Sequence, residues 1–195
     1  MWHKRQTGEF HQTRVNKYLA RFWPALDLVR GNRVFVPLCG KSLDMIWLAE
    51  QGCEVIGVEL SPIAVAAFFK ENHLPAVKRR MGAFTLWRHG HISILCGDYF
   101  ALSRADLGHI DTVYDRAALT ALPEDIRKLY VAHLQRLIAA TTNVFLLTIE
   151  DEAAVRIDEE VVSLYAGEFA IRVEFVDKME EGEEYKVYRL TSMRD

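Results

Sequence analysis

Residues 33–61 read RVFVPLCGKSLDMIWLAEQGCEVIGVELS, and this stretch decides the fold. RVFVPL (33–38) is a short apolar run of strand length that enters the turn Cys39-Gly40-Lys41-Ser42. SLDMIWLAEQG (42–52) then reads as a helix closed by Gly52, and EVIGVEL (54–60) as a second buried strand ending on the acid Glu59. Strand, turn, helix, strand is the opening unit of a layered α/β sheet. Backbone N–H groups at a helix N-terminus can hold the polar part of a ligand, and Gly40 lets the chain pass close to it. One glycine is a weak signal by itself, and a tight turn around a buried Cys39 explains it equally well. Glu59 changes the balance. It follows Leu38 by 21 positions, the spacing at which an acidic side chain accepts hydrogen bonds from a ribose. Turn, acid and alternation together point to an adenosine-bearing cofactor at the carboxyl ends of the strands.

The alternation continues outward in both directions. Upstream, Val15, Leu19, Phe22 and Leu26 recur at helical spacing, with Pro24 as a break. Downstream, a helix runs from Pro62 to about Asn72 with Ser61 as its N-cap. FTLWRHGHISILCGD (84–98) forms two strands about Gly90, and DTVYDR (111–116) forms another. Residues 123–139 form a helix opened by Pro123, and NVFLLTIE (143–150) a strand. A helix near 158–166 and two closing strands, IRVEFVDK and YKVYRLT, complete the chain. The sheet is therefore mostly parallel, with an antiparallel member near one edge.

Composition narrows the class. A chain of 195 residues with 50% hydrophobic content suits one domain and is short for two. Neither repeats nor a Ser/Gly linker divide it, so a single domain over 1–195 is expected. Cys39, Cys53 and Cys96 lie far apart with no CxxC, which argues against a disulfide scaffold or a cysteine zinc site. No apolar run approaches the roughly 20 residues of a membrane span, and MWHKRQTGEFHQ lacks the apolar stretch of a signal peptide. A cytoplasmic protein without membrane partners is the expectation. Residues 1–33 are basic and residues 150–184 acidic, but the charges alternate with apolar residues, as on solvated faces. The net charge of −3 and the lack of an NPPY-like motif argue against a nucleic-acid substrate, despite Lys78-Arg79-Arg80.

Two further strand ends carry chemistry. In Gly97-Asp98-Tyr99-Phe100, Asp98 can accept from an adenine amino group while Tyr99 or Phe100 packs against the base. In Tyr114-Asp115-Arg116, Asp115 and Arg116 adjoin the expected reaction centre, with a surface ion pair or a helix N-cap as the plainer reading. His89 and His91 flank Gly90, a spacing poor for metal ligation without a third partner, so no metal is expected.

VFVPLCGKSLDMIWLAEQG, VIGVELS, LCGDYF and VYDRAAL together resemble the bacterial-type thiopurine S-methyltransferases, and FHQTRVNKYL with RFWPAL extends the likeness over roughly residues 2–150. The resemblance implies the Rossmann-like class I methyltransferase fold: a seven-stranded, mostly parallel sheet with one antiparallel strand and helices on both faces. It implies S-adenosylmethionine as methyl donor and S-adenosylhomocysteine as product. Carried over by residue, Leu38 and Gly40 hold the methionine part, Glu59 the ribose, and Asp98 with Tyr99 the adenine pocket. Trp2 matches the first Trp of a motif covering the cofactor, and Phe10 a substrate-lining aromatic. Arg116 lies near the sulfonium and the acceptor, with Asp115 as its helper. On this likeness residues 1–30 form a cover and helix, 31–150 the cofactor-binding core, and 151–195 the closing helix and strands.

The chain also departs from the family. Gln6 stands where a second Trp is usual, and residues are missing before FHQ. EDEAAVRIDEEV replaces a longer loop containing a Gly-Pro-Pro-Phe-like segment, and the tail DKMEEGEEYKVYRL is short. All three shortenings fall on loops that would roof the site, where deletions spare a fold more than its activity. The expected activity is methyl transfer to small aromatic or heterocyclic thiols (thiopurines), with selenium or tellurium compounds as further acceptors, by a monomer. The alternative is a loop-trimmed or divergent cofactor-binding scaffold with little catalysis.

Overall fold

The computed structural model of the chain describes residues 13–151, 157–178 and 183–193. Its elements in chain order are α1 (Lys17–Phe22), a 3-10 turn (Trp23–Leu26), β1 (Arg33–Val36), α2 (Asp44–Glu50), β2 (Glu54–Glu59), α3 (Pro62–Glu71), β3 (Val77–Met81), β4 (Phe84–His89), β5 (Ile92–Cys96), a second 3-10 turn (Tyr99–Ala101), α4 (Arg104–Leu107), β6 (Thr112–Arg116), α5 (Ala118–Ala121), α6 (Glu124–Leu137), β7 (Asn143–Asp151), α7 (Ile157–Tyr165), β8 (Phe169–Lys178) and β9 (Glu183–Ser192). They group into two compact units, 13–32 with Leu38–Tyr99, and Arg33–Pro37 with the chain from Phe100 onward.

In the first unit the strand order is β3-β4-β5-β2. β2 and β5 are parallel, whereas β4 runs against both of its neighbours. The register places Gly57, Ile94 and Trp87 side by side, so all three face the same way. α2 and α3 cover that face: Met45 lies against Gly57, and Phe69 stacks on Trp87 at 5.9 Å. Pro24 acts as anticipated, because α1 stops at Phe22 and the chain tightens into the 3-10 turn. Asn16 caps α1 with its side chain, accepting from the N–H groups of Tyr18 and Leu19. Its own N–H donates at 2.7 Å to the buried carboxylate of Asp44, which ties α1 to the first turn of α2.

In the second unit the order is β1-β6-β7-β9-β8. β1, β6 and β7 are parallel, and β9 runs against β7 and β8. α6 places Tyr130, Val131, Leu134 and Leu137 in the core at helical spacing, and Val113, Val144, Leu146 and Leu147 are sealed from solvent.

The direction of the strands is mostly parallel, but the count differs from the expected seven with one reversed. Among the described residues nine are formed, and two of them, β4 and β9, oppose their neighbours. The unanticipated strand is β3, VKRRM, whose residues are exposed or only half-buried. A strand that buries neither face leaves no alternation in the sequence, and β3 is held by its ladder to β4 alone. No described helix is long and apolar enough to cross a membrane.

Candidate active site

The turn after Pro37 is built from two left-handed residues on either side of Cys39. Leu38 has φ +48° and Gly40 φ +52°. A leucine in that region is strained, a feature that clusters at ligand clamps. Two bonds to the end of β2 hold the turn in place. The Cys39 N–H donates to the Val58 carbonyl at 3.0 Å, and the Gly40 N–H donates to Glu59 Oε2, also at 3.0 Å. Glu59 Oε1 accepts the Ser61 N–H at 2.8 Å, while the Ser61 hydroxyl caps α3 through Ala64 N. The carboxylate is thus fixed between the glycine turn and the start of α3.

Close packing beneath the turn makes this possible. A Cβ added to Gly57 would sit 2.7 Å from Cys39 Sγ and 3.2 Å from Met45 Sδ, so only glycine lets the turn descend onto β2. Above the turn the reverse holds: a Cβ on Gly40 would meet nothing within 4 Å. Space is left open over the turn and beside an acid with fixed orientation. Burial raises the Cys39 thiol well above the ordinary cysteine range, and the charge of Glu59 adds to it. Cys96, paired with Glu59 across β2 and β5, is raised by the same two causes in the same order. Both thiols stay protonated at neutral pH.

β5 ends at Cys96, and the Gly97 N–H donates to the Glu59 carbonyl at 3.0 Å, which brings the next segment alongside Glu59. Asp98 is exposed there, whereas Tyr99 is only 4% exposed and its ring belongs to the core. Leu38, Gly40, Glu59, Asp98 and Tyr99 therefore share one unit. Two apolar side chains escaped sequence reasoning: Leu60 is 67% exposed and Ile63 is 79% exposed, immediately after Glu59. At the start of a helix, apolar residues read as core. Their exposure beside Glu59 is what sets them apart.

Asp115 and Arg116 belong to the other unit, at the carboxyl end of β6. Arg116 is half-buried. Asp115 is wholly enclosed, with Oδ2 accepting the Tyr130 hydroxyl at 2.6 Å and Oδ1 accepting the Ala118 N–H at 3.1 Å. Burial pushes its carboxyl up to about 6, partly offset by the bonds from Tyr130 and from the Ala118 and Leu119 backbone. The helix-cap reading of Asp115 and a position adjoining Arg116 both describe it; open contact with an acceptor does not. His89 turns to the Pro75 carbonyl and His91 to Glu54. Among the described residues no group of three or more His, Cys, Asp or Glu is placed to hold a metal ion. Trp2, Gln6 and Phe10 lie outside the described residues, as do 152–156 and 179–182 within the two abbreviated segments.

A family model for thiopurine S-methyltransferase (TPMT) matches residues 1–193. The chain belongs to the thiopurine S-methyltransferase family. The thiopurine S-methyltransferase of Stutzerimonas stutzeri is 57% identical over 210 residues, covering 100% of this chain and 89% of that protein. One from Pseudomonas putida is 43% identical over 191 residues, covering 94% of this chain and 88% of that protein. The first alignment is longer than the 195 residues of this chain, so the relative carries internal positions that this family member lacks. Among solved structures, the N-methyltransferase NodS of Bradyrhizobium japonicum, in complex with S-adenosylhomocysteine, has a TM-score of 0.67 at 13% identity, covering 92% of this chain and 89% of that one. Magnesium protoporphyrin IX methyltransferase of Synechocystis, with bound S-adenosylmethionine, also has a TM-score of 0.67, at 18% identity over 90% of this chain and 76% of that one. The fold is the class I methyltransferase fold. As a thiopurine S-methyltransferase family member, the chain is a methyltransferase whose donor is S-adenosylmethionine. The residues present fit that group: the space over Gly40 is open, and each Glu59 oxygen, having accepted one N–H, keeps a lone pair for a ribose hydroxyl.

Proposed function

We propose that this chain methylates the sulfur of small aromatic or heterocyclic thiols, thiopurines among them, and that selenium and tellurium compounds are further acceptors. The observation that carries the reading is the Glu59 carboxylate, held by Gly40 and Ser61 at the mouth of a strained turn. S-adenosylmethionine, when bound, supplies a methyl group already activated on a sulfonium centre. The protein is left to orient, to desolvate and to hold charge.

In this reading Glu59 accepts from the ribose hydroxyls, and the turn at Leu38 and Gly40 receives the methionine portion. Asp98 accepts from the adenine amino group beside Tyr99, and the exposed Leu60 and Ile63 give the base an apolar surface. Trp2 covers the cofactor and Phe10 lines the acceptor site. Arg116 holds the anionic sulfur or ring of the acceptor through charge-assisted hydrogen bonds. Aromatic thiols ionise readily, so no strong general base is required; Asp115 acts through Arg116 instead of touching the acceptor. The chain works as a cytoplasmic monomer, with one domain formed by residues 1–195.

The second reading is a cofactor-binding scaffold with little turnover. The positions this chain lacks against the Stutzerimonas stutzeri relative favour it. Titration with S-adenosylhomocysteine followed by a thiopurine methylation assay separates the two. Binding with turnover supports the first reading, and binding without turnover supports the second. Absence of binding overturns both.

A further inference from the structure

The carboxyl end of β6 runs directly into a turn that the sequence does not favour. Ala117 has φ +58°, a left-handed conformation that a non-glycine residue adopts only when its surroundings impose it. Three bonds impose it here. The Ala117 N–H donates to the Leu147 carbonyl at 2.8 Å, the Ala118 N–H donates to Asp115 Oδ1, and the Tyr130 hydroxyl donates to Asp115 Oδ2. Asp115 and Tyr130 are both 0% exposed, so water cannot replace either partner. The Tyr130 bond reaches across from α6, fifteen residues along the chain. Arg116 sits inside the clamped turn, between the residue that anchors it and the residue that is strained.

We propose that Tyr130 is a positioning residue for methyl transfer, acting through the Asp115 carboxylate to fix the backbone from which Arg116 projects. The proposal rests on the acceptor-holding role of Arg116 given above. The ionised carboxylate accepts strongly on both oxygens, whereas protonation turns one of them into a hydroxyl donor, so the clamp is strongest when Asp115 is charged. Burial already makes that charge hard to hold, and the Tyr130 hydroxyl is the largest influence opposing it. Other groups do not substitute for it. Arg127 on α6 is engaged with Glu160 at 2.7 Å and with the Leu122 carbonyl. On β7, which pairs directly with β6, Leu146 faces Asp115, and Thr148 follows on that face. One strand further, β9 presents Tyr188 and Lys186 on the same face, and Lys186 lies 3.3 Å from Glu184. On β1, no titratable side chain follows Arg33. Arg116 is the charged group on the strand itself.

The test compares the full chain with Tyr130→Phe and Asp115→Asn. Stability midpoints and S-adenosylhomocysteine affinity serve as controls. Tyr130→Phe keeps the ring and removes only the hydroxyl. The acid limb of thiopurine turnover is then expected to move up by at least half a pH unit, with turnover near pH 6 falling several-fold and recovering toward the wild-type rate at alkaline pH. Cofactor affinity stays within twofold. The ionisation of the acceptor is common to both proteins, so the displacement belongs to the enzyme. A carbon-13 titration of the Asp115 carboxyl, assigned by its loss in Asp115→Asn, is expected to move the same way. Asp115→Asn, which keeps the shape but cannot titrate, is expected to lose the enzyme's share of the limb. An unmoved limb in Tyr130→Phe, or a limb in Asp115→Asn that coincides with the wild type, overturns the proposal. Absence of thiopurine turnover in the unmodified chain overturns instead the function on which it rests.

Discussion

Glu59 Oε2 accepts the N–H of Gly40 at 3.0 Å, so an acid at the end of β2 sets the position of the turn that precedes α2. Nineteen residues separate them. The acid that would bind a ribose also holds the turn that would receive the rest of the cofactor. Oε1 is committed to Ser61 in the same way, which removes the rotational freedom of the carboxylate before any ligand arrives. Loss of Glu59 would therefore loosen the turn and remove the proposed ribose contact together.

In the proposed function, the part Arg116 takes in turnover is separable from cofactor binding. Arg116→Ala is expected to lower kcat/KM for a thiopurine by tenfold or more, since charge-assisted bonds contribute about 1.5–3 kcal/mol. S-adenosylhomocysteine affinity should change much less. Steady-state kinetics paired with calorimetry make the comparison, and an equal loss in both would contradict the assignment.

Gly57 is a packing residue of the turn. Gly57→Ala drives a methyl against Cys39 Sγ at 2.7 Å and Met45 Sδ at 3.2 Å. Overpacking of this kind costs about 1–3 kcal/mol, seen as a lower midpoint of thermal or urea unfolding. Adding Cys39→Ala removes the nearest atom and should recover part of the loss, a coupling that a double-mutant cycle measures. Strictly additive effects would show that the two residues do not meet.

The fold was legible where elements bury a face. RVFV, EVIGVE and NVFLLTIE are apolar runs because both of their sides are covered, and the Ser61 cap and Pro123 mark helix starts at the residues where α3 and α6 begin. β3 was not legible because it buries neither face. In the candidate site, Glu59 could be read from its spacing to the glycine turn. Tyr130 could not, because its meeting with Asp115 depends on how α6 lies on β6, a packing relation with no local signature. Leu60 and Ile63 were missed for the opposite reason. Their apolar character has an ordinary explanation until exposure removes it.

The thiol of Cys96 reports on Glu59 without any ligand. Burial is the larger cause of its raised pKa and the Glu59 charge the smaller. Glu59→Gln should therefore lower the Cys96 pKa while leaving it above the ordinary cysteine value. Alkylation of Cys96 between pH 8 and 9 should accelerate in the variant, measured by mass spectrometry with Cys53 as internal control. An unchanged rate profile would place the charge elsewhere.

Asp115 makes stability depend on pH in an unusual direction. Its carboxyl is at about 6 in the folded protein against 3.8 ordinarily, so the folded state binds the proton more tightly than the unfolded chain. The group opposes folding above pH 6, and that opposition is relieved as pH falls from about 6 toward 4. Two pKa units correspond to about 3 kcal/mol. Unfolding free energies of the wild type and Asp115→Asn, measured from pH 7 to 4.5, should show the wild type gaining on the variant as pH falls. A constant difference would mean that Asp115 titrates normally.

We assign the clamp of Gly40 and Glu59 to the ribose end of an S-adenosylmethionine site. Isothermal calorimetry of S-adenosylhomocysteine with the wild type and Glu59→Gln checks this assignment. The clamp predicts measurable binding to the wild type and a loss of about tenfold or more in the variant, the expected cost of removing a charged acceptor of about 1.5–3 kcal/mol. Equal affinity for the two proteins, with both folded, would contradict it.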